Sequence, residues 1–180
     1  MIVHNIDPQG TGATFDNTSL PIRTLWNKSW DLNVTSTHIL THTFVPLLLK
    51  SPNARLIFIT SGTANLTEAF NQAVPVNRIP TAGWPKQPFE LGPLAYRSAK
   101  TGLNMVMKQW ERILKNDGVK VWSVSPGFLA TGLGGNREML IKMGAGDPAT
   151  GGALMKDIVE GKRDGDVGLV VHTEGTVQPW

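Results

Sequence analysis

Leu56-Ile57-Phe58-Ile59-Thr60-Ser61-Gly62 is an apolar run that ends in two hydroxyl residues and a glycine. Its apolar part is too short, and too rich in β-branched and aromatic residues, for a helix, so it is predicted to be a buried strand. Val119 to Val124 is predicted to be the next strand, leading into Ser125-Pro126-Gly127, and Val167 to Val171 the final one. Residues 2–4 fit the end of an earlier buried strand. Helical spacing fills the gaps. From Pro93 to about Asn116, Ala99, Leu103, Val106, Trp110 and Leu114 share one face, and Asp117-Gly118 closes the helix as glycine does at a C-cap. Ile22 to about Leu49 is predicted as one long or kinked helix, with Pro46 bending its last turns. Ala149 to Glu160 is a short helix. Strands alternating with helices, and apolar runs in place of strict alternation, argue for an α/β fold whose parallel sheet is covered on both faces.

Three segments lack periodicity. Asp7 to Pro21 has the composition of a loop. Gly62 to Gly92 is dense in proline and glycine and is expected to be a long loop or insertion; loops of that length are uncommon and often functional. Gly127 to Gly146 is expected to be a flexible, glycine-dense loop.

Bulk properties narrow the function. The chain has 180 residues, enough for one domain with a real core, 1–180. A formal charge of +3, scattered along the chain, gives no case for nucleic acid or a membrane as partner. The chain has no cysteine, which rules out thiolate catalysis and disulfides. Met1-Ile2-Val3-His4-Asn5 lacks the basic and apolar regions of a signal peptide. The longest apolar stretch, Ile39 to Leu49, falls short of the roughly 20 residues that span a bilayer. A cytoplasmic protein is the expectation.

Tyr96 and Lys100 carry the chemistry. Four residues apart in Tyr96-Arg97-Ser98-Ala99-Lys100, they share a helix face. A free tyrosine titrates at about pH 10, too high for acid–base work at neutrality. An ammonium beside it favours the phenolate and is expected to lower that value. The pair can then pass a proton to or from a substrate oxygen. Ser61 leaves the end of a strand, where a parallel sheet opens its ligand crevice, and its hydroxyl can hold a carbonyl oxygen.

Taken together, these motifs resemble the classical short-chain dehydrogenase/reductases, and the tail Gly175-Thr176-Val177-Gln178-Pro179-Trp180 looks like fungal members. Ile59-Thr60-Ser61-Gly62 is similar to the family's serine motif and Tyr96 to Lys100 to its YxxxK motif. Asp31-Leu32-Asn33-Val34 resembles the segment with its fourth catalytic residue. Pro126-Gly127-Phe128-Leu129-Ala130-Thr131 resembles its PGxxxT motif. The resemblance implies a Rossmann-like, doubly wound parallel sheet and hydride transfer between a nicotinamide and a carbonyl or alcohol carbon. By the same resemblance Tyr96 is the general acid/base and Ser61 steadies the substrate oxygen. Lys100 binds the nicotinamide ribose and lowers the Tyr96 pKa, and Asn33 anchors a proton-relay water. Phe128 and Thr131 meet the nicotinamide carboxamide, and Tyr96, Pro126, Gly127 and Asn5 are further cofactor-binding residues by the same resemblance. NADP is the favoured cofactor, with NAD still open.

The family pattern is departed from in two places. Ser61 to Tyr96 is longer than the common spacing, so 62–92 contains an insertion that bears on substrate. The glycine-rich dinucleotide turn is missing: only Asn5 matches the NNAG motif, and Asp7 stands where a glycine belongs. The family's topology then implies a sheet lacking the first three strands. An N-terminally truncated, non-catalytic remnant that binds a partner protomer is therefore the alternative to an enzyme. The family dimerises through two long helices, here near 33–50 and 94–116, so a homo-oligomer is expected.

Other residues read more plainly. Gly10-Thr11-Gly12 is a surface turn, since Phe15 stands where a dinucleotide turn needs its third glycine. His38 and His42 lie one turn apart with no third ligand beside them, so packing is preferred to a metal. Most tryptophans fall on apolar faces; Trp84 and Trp180 are kept as candidates for a substrate pocket. Arg97 and Lys108 are expected to be solvated.

Overall fold

The computed structural model describes residues 2–3, 20–131, 133 and 136–180. Five strands form one sheet: β1 Ile2–Val3, β2 Arg55–Ile59, β3 Lys120–Ser125, β4 Val170–His172 and β5 Val177–Gln178. They lie side by side in chain order. β1 to β4 run parallel, with Ile57 opposite Ile2 on one side and Trp122 on the other. β5 returns antiparallel along β4, Val170 facing Gln178. Among the described residues the helices are α1 Ile22–Trp30, α2 Ser36–Leu48, α3 Pro88–Leu91, α4 Leu94–Leu114, α5 Arg137–Lys142 and α6 Pro148–Val159.

Successive strand residues point to opposite faces, and both faces here are apolar. Leu56, Phe58 and Val121 pack with Leu103, Met107, Trp110 and Leu114 of α4, and Val45 and Leu48 of α2 join them. Ile57, Trp122, Val124 and Val171 pack instead with Leu154 and Ile158 of α6. This is the expected Rossmann-like α/β sheet, parallel in its first four strands and helix-covered on both sides. Each fully buried large side chain, such as Phe58 or Leu56, stabilises the fold by roughly 1.5–3 kcal/mol. Trp122 is wholly buried, and its indole N–H donates to the Arg163 carbonyl at 3.0 Å, so the ring nitrogen is satisfied. At the starts of β2 and β3, Arg55 and Lys120 converge on Asp164. Their hydrogen bonds hold the Asp164 carboxyl well below its usual range, at about 2.

Several expectations need correction. The 22–49 helix is divided: between α1 and α2, Asp31–Thr35 forms a π-helical segment, while Pro46 is accommodated inside α2. Asn33 is the local cause offered by the chemistry, since its side-chain amide donates to the Ser29 carbonyl at 2.9 Å and competes with the backbone ladder. The 127–146 loop contains α5, whose cap is Asn136 accepting from the Met139 N–H at 3.0 Å. The 62–92 segment contains 3-10 turns at Gly62–Ala64 and Pro75–Asn77 as well as α3. Caps and N-terminal prolines define these short pieces, and they leave no periodic signal. Val167 to Val171 is not the last strand; β5 follows, and two residues are too few to show alternation.

Candidate active site

β2 and β3 are parallel neighbours with Ile59 opposite Val124, so they end on the same edge of the sheet. The Thr60 N–H donates to the Val124 carbonyl at 2.8 Å and carries the pairing one residue further. Ser61 and Pro126-Gly127 therefore emerge side by side. Ser61 caps the 3-10 turn: its Oγ accepts from the Thr63 N–H at 3.2 Å and lies 2.9 Å from the Thr63 hydroxyl.

α4 brings the other residues to this edge. Its buried stripe includes Ala95, Ala99, Leu103 and Met107, which leaves Tyr96 and Lys100 in the opening turns beside Ser61. The Ser61 side chain lies near enough to the Tyr96 phenol to pull its pKa down. Lys100 is only 4% exposed; its ammonium donates to the Ile59 carbonyl at 2.8 Å and lies 5.7 Å from the centre of the Tyr96 ring. Asn33 is buried in the π-helical segment, which packs on α4.

The electrostatics differ from the sequence expectation. Burial pushes the Tyr96 pKa up and outweighs the Ser61 contact, which pulls it down. Burial also lowers Lys100, to about 8. The lysine lies over the ring and is bonded to a strand carbonyl, and burial and Ser61, not the ammonium, are what shift the phenol. Tyr96 is therefore held protonated at neutral pH, the form that gives a proton to a carbonyl being reduced.

The 126–131 loop is pinned across from this group. Gly127 has a φ of 90°, in the left-handed region, and a Cβ there would lie 3.5 Å from the Thr173 hydroxyl. The Phe128 carbonyl accepts from the Gly146 N–H at 2.8 Å, and the Ala130 N–H donates back to the Gly146 carbonyl at 2.9 Å. The Thr131 hydroxyl accepts from the Leu133 N–H at 3.3 Å. Asn5 and Gly10-Thr11-Gly12 lie outside the described residues.

A nicotinamide ribose fits this edge in its chemistry: a buried ammonium with unused N–H donors, a phenol and serine hydroxyl together, and an open-backbone glycine where a flat group must approach closely. Lys100 and Tyr96 could hold such a ribose, and the Pro126–Thr131 loop could meet its nicotinamide.

Three further residues were missed or misread in the sequence. Arg97 is bonded, not solvated: it donates to the carbonyls of Thr63 and Val76 and to the Asn77 side chain. Lys108 donates to the Gly168 carbonyl at 3.0 Å and lies 5.8 Å from the Trp180 ring centre. Gln178, on β5, donates to the Ser61 carbonyl at 3.4 Å. Only the three-dimensional pairing of β5 with β4 puts Gln178 there. Trp84 is 80% exposed, and the His38 ring packs on Trp110 at 5.6 Å. Among the described residues, no cluster of His, Cys, Asp or Glu could hold a metal ion. A cavity of about 490 Å³ is lined by Phe44, Leu47, Asn53, Arg55 and Val159. It opens at the start of β2, the end opposite to Ser61, so it is separate from this site.

The sheet thus gathers Ser61, Tyr96 and Lys100 where its parallel strands end, and comparison with known proteins says what this arrangement resembles. No family model matches the chain. The short-chain dehydrogenase/reductase tropE of Talaromyces stipitatus is 48% identical over 171 residues, which is 94% of this chain and 64% of that protein. The short-chain dehydrogenase/reductase eupG of a Phoma species is 48% identical over 166 residues, 88% of this chain and 59% of that protein. The chain thus spans less than two thirds of these relatives. Among solved structures, an NADPH-bound carbonyl reductase from chicken fatty liver aligns with TM-score 0.68 at 19% identity, covering 89% of this chain and 59% of the other. The carbonyl reductase Sniffer of D. melanogaster aligns with TM-score 0.66 at 20% identity, covering 99% and 64%. Over nearly its whole length the chain is thus similar to members of the short-chain dehydrogenase/reductase family.

Proposed function

We propose that this chain, read as one domain over 1–180 with an insertion in 62–92, carries the catalytic half of an NAD(P)-dependent oxidoreductase. Its reaction is reduction of a carbonyl, or oxidation of an alcohol, on a small organic substrate. The relatives at 48% identity come from fungi, which favours a secondary metabolite as that substrate. The observation that carries the reading is the Ser61 hydroxyl beside the Tyr96 phenol, with Lys100 buried one turn further along α4.

A nicotinamide dinucleotide, when bound, supplies or accepts the hydride. The rest falls to the chain. Ser61 donates a hydrogen bond to the substrate oxygen and holds it within reach of the Tyr96 hydroxyl. Tyr96, protonated at neutral pH, gives its proton to that oxygen as the carbonyl is reduced, and takes it back in the reverse direction. Lys100 holds the ribose hydroxyls, Asn33 supports proton return to Tyr96, and Pro126, Gly127, Phe128 and Thr131 face the carboxamide. NADP is preferred because the chicken carbonyl reductase was solved with NADPH.

A homo-oligomer through the helices near 33–50 and 94–116 belongs to the same reading. What supports it is the exposure of Ile39, Phe44 and Leu47 on α2 and of Met105 and Ile113 on α4. No helix among the described residues is long and apolar enough to cross a membrane.

The test is an NADPH titration of the purified chain, followed by energy transfer from tryptophan, with turnover measured on a panel of carbonyls. Saturable binding and turnover that Tyr96→Phe abolishes support the enzyme. A folded sample that binds no cofactor leaves the non-catalytic, partner-binding form.

A further inference from the structure

We infer that Arg97 is a positioning residue that ties the 62–92 segment to the Ser61–Tyr96 pair and so sets which carbonyl substrates the site accepts; the inference rests on the function proposed above.

Arg97 follows Tyr96 directly on α4, so any force on its side chain acts on the turn of helix that presents the phenol. Its Nε donates to the Thr63 carbonyl at 2.9 Å, and Thr63 is the residue whose N–H and hydroxyl both contact Ser61 Oγ. Its other two bonds leave the core. Nη1 donates to the Val76 carbonyl at 3.1 Å and Nη2 to the Asn77 side-chain oxygen at 2.8 Å. One guanidinium thereby joins the turn of Ser61, the helix of Tyr96 and the middle of the segment between them.

The chemistry suits arginine in particular. Three acceptors in three directions need a planar fork with several donors, and lysine has a single point charge to offer. Arg97 accepts a cost for this, since burial lowers its pKa. Asn77 passes the tie onward: its amide donates to the Glu68 carbonyl at 2.7 Å and the Asn71 carbonyl at 3.2 Å. The apolar side chains of the segment do little to hold it. Phe70 is 85% exposed and Ile79 79%. Polar bonds therefore fix the segment: Thr101 donates to the Ala64 carbonyl and Thr67 to the Trp180 carbonyl, while Arg97 holds Thr63 and the stretch at Val76 and Asn77.

The experiment compares Arg97→Gln, Asn77→Ala and the double variant in the full chain. Two readouts are used: amide hydrogen exchange over 64–77, and kcat and KM for one small and one bulky carbonyl. Each single variant is expected to speed exchange in 64–77 and to raise KM for the bulky carbonyl about ten-fold, the scale of a lost hydrogen bond to a charged group. The bulky-to-small selectivity ratio should fall with it. The double variant should fall short of the sum of the two single effects, because both substitutions cut the same Arg97–Asn77 bond. Unchanged exchange in 64–77, KM rising equally for both carbonyls, or additive effects of the two substitutions would each overturn the inference. If the unaltered chain reduces no carbonyl at all, the proposed function falls and with it the part in substrate choice. Exchange, which needs no turnover, then decides whether the tie exists.

Discussion

Lys100→Met should flatten the dependence of stability on pH. Lys100 is buried at 4% exposure, and its pKa falls from 10.5 to about 8 because burial disfavours the charged form. Between these values the unfolded chain holds the proton and the folded chain releases it. More protons are bound in the unfolded state, so stability rises with pH across this window. Below about 8 the cost of burying the charge is borne in full; near 10.5 it is gone. Two and a half units correspond to about 3 kcal/mol at most, of which about 2 kcal/mol should be regained between pH 8 and pH 10. Tyr96 opposes this slightly at the top of the range, because its raised pKa makes stability fall as the unfolded phenol ionises. The comparison is therefore cleanest in a Tyr96→Phe background. Absolute stability is a poorer readout, since methionine also loses the bond to the Ile59 carbonyl, worth about 1–3 kcal/mol. Urea unfolding followed by circular dichroism, at half-unit steps from pH 7 to 10, gives the slope directly. Parallel curves for the lysine and methionine forms, or a lysine form that weakens as pH rises, would refute the reasoning.

Three further outcomes are expected. Gly102→Ala places a Cβ 2.7 Å from the Trp30 indole; it should destabilise by about 1–2 kcal/mol, the clash exceeding the helix gain of about 1 kcal/mol, whereas with Trp30→Ala it should stabilise in thermal melts. Asp164 is held at about 2 by Arg55 and Lys120, so its contribution is present above its ordinary value and is lost as pH falls from about 4 towards 2; Asp164→Asn should show a shallower decline of the urea midpoint over that range. Tyr96 is the chain's one tyrosine, so ultraviolet difference absorbance titrates it alone, and Ser61→Ala should move that titration to higher pH by removing the contact that lowers it.

Much of this was legible in the sequence because of local rules. Leu56 to Ile59 is apolar throughout, and Val119 to Val124 is apolar but for Lys120 and Ser123, because both faces of the sheet are covered and burial on two sides removes strict alternation. Tyr96 and Lys100 were legible because the helical repeat alone puts them on one face. The rest depended on tertiary structure. Gln178 reaches Ser61 only because β5 folds back along β4. Arg97 sits on a half-exposed helix turn, and its acceptors, Thr63, Val76 and Asn77, belong to a segment without periodicity. The raised pKa of Tyr96 went against the reading from spacing, because four residues of separation fix a shared face but not where the ammonium points. The structure puts it over the ring and on a strand carbonyl.

The Asp31–Thr35 segment acts as a phase shifter between two amphipathic screws. A π-helical turn carries one residue more than its α-helical counterpart, and each residue rotates the helix by about 100°. That slip lets Trp30 press on Gly102 while Thr37 and Thr41, beyond it, are still turned to the interior. Deleting a single residue between 31 and 35 would close the ladder into a regular helix and swing Trp30 about a quarter turn off α4. Chain length at this point is therefore a packing parameter in its own right, separate from the choice of side chains.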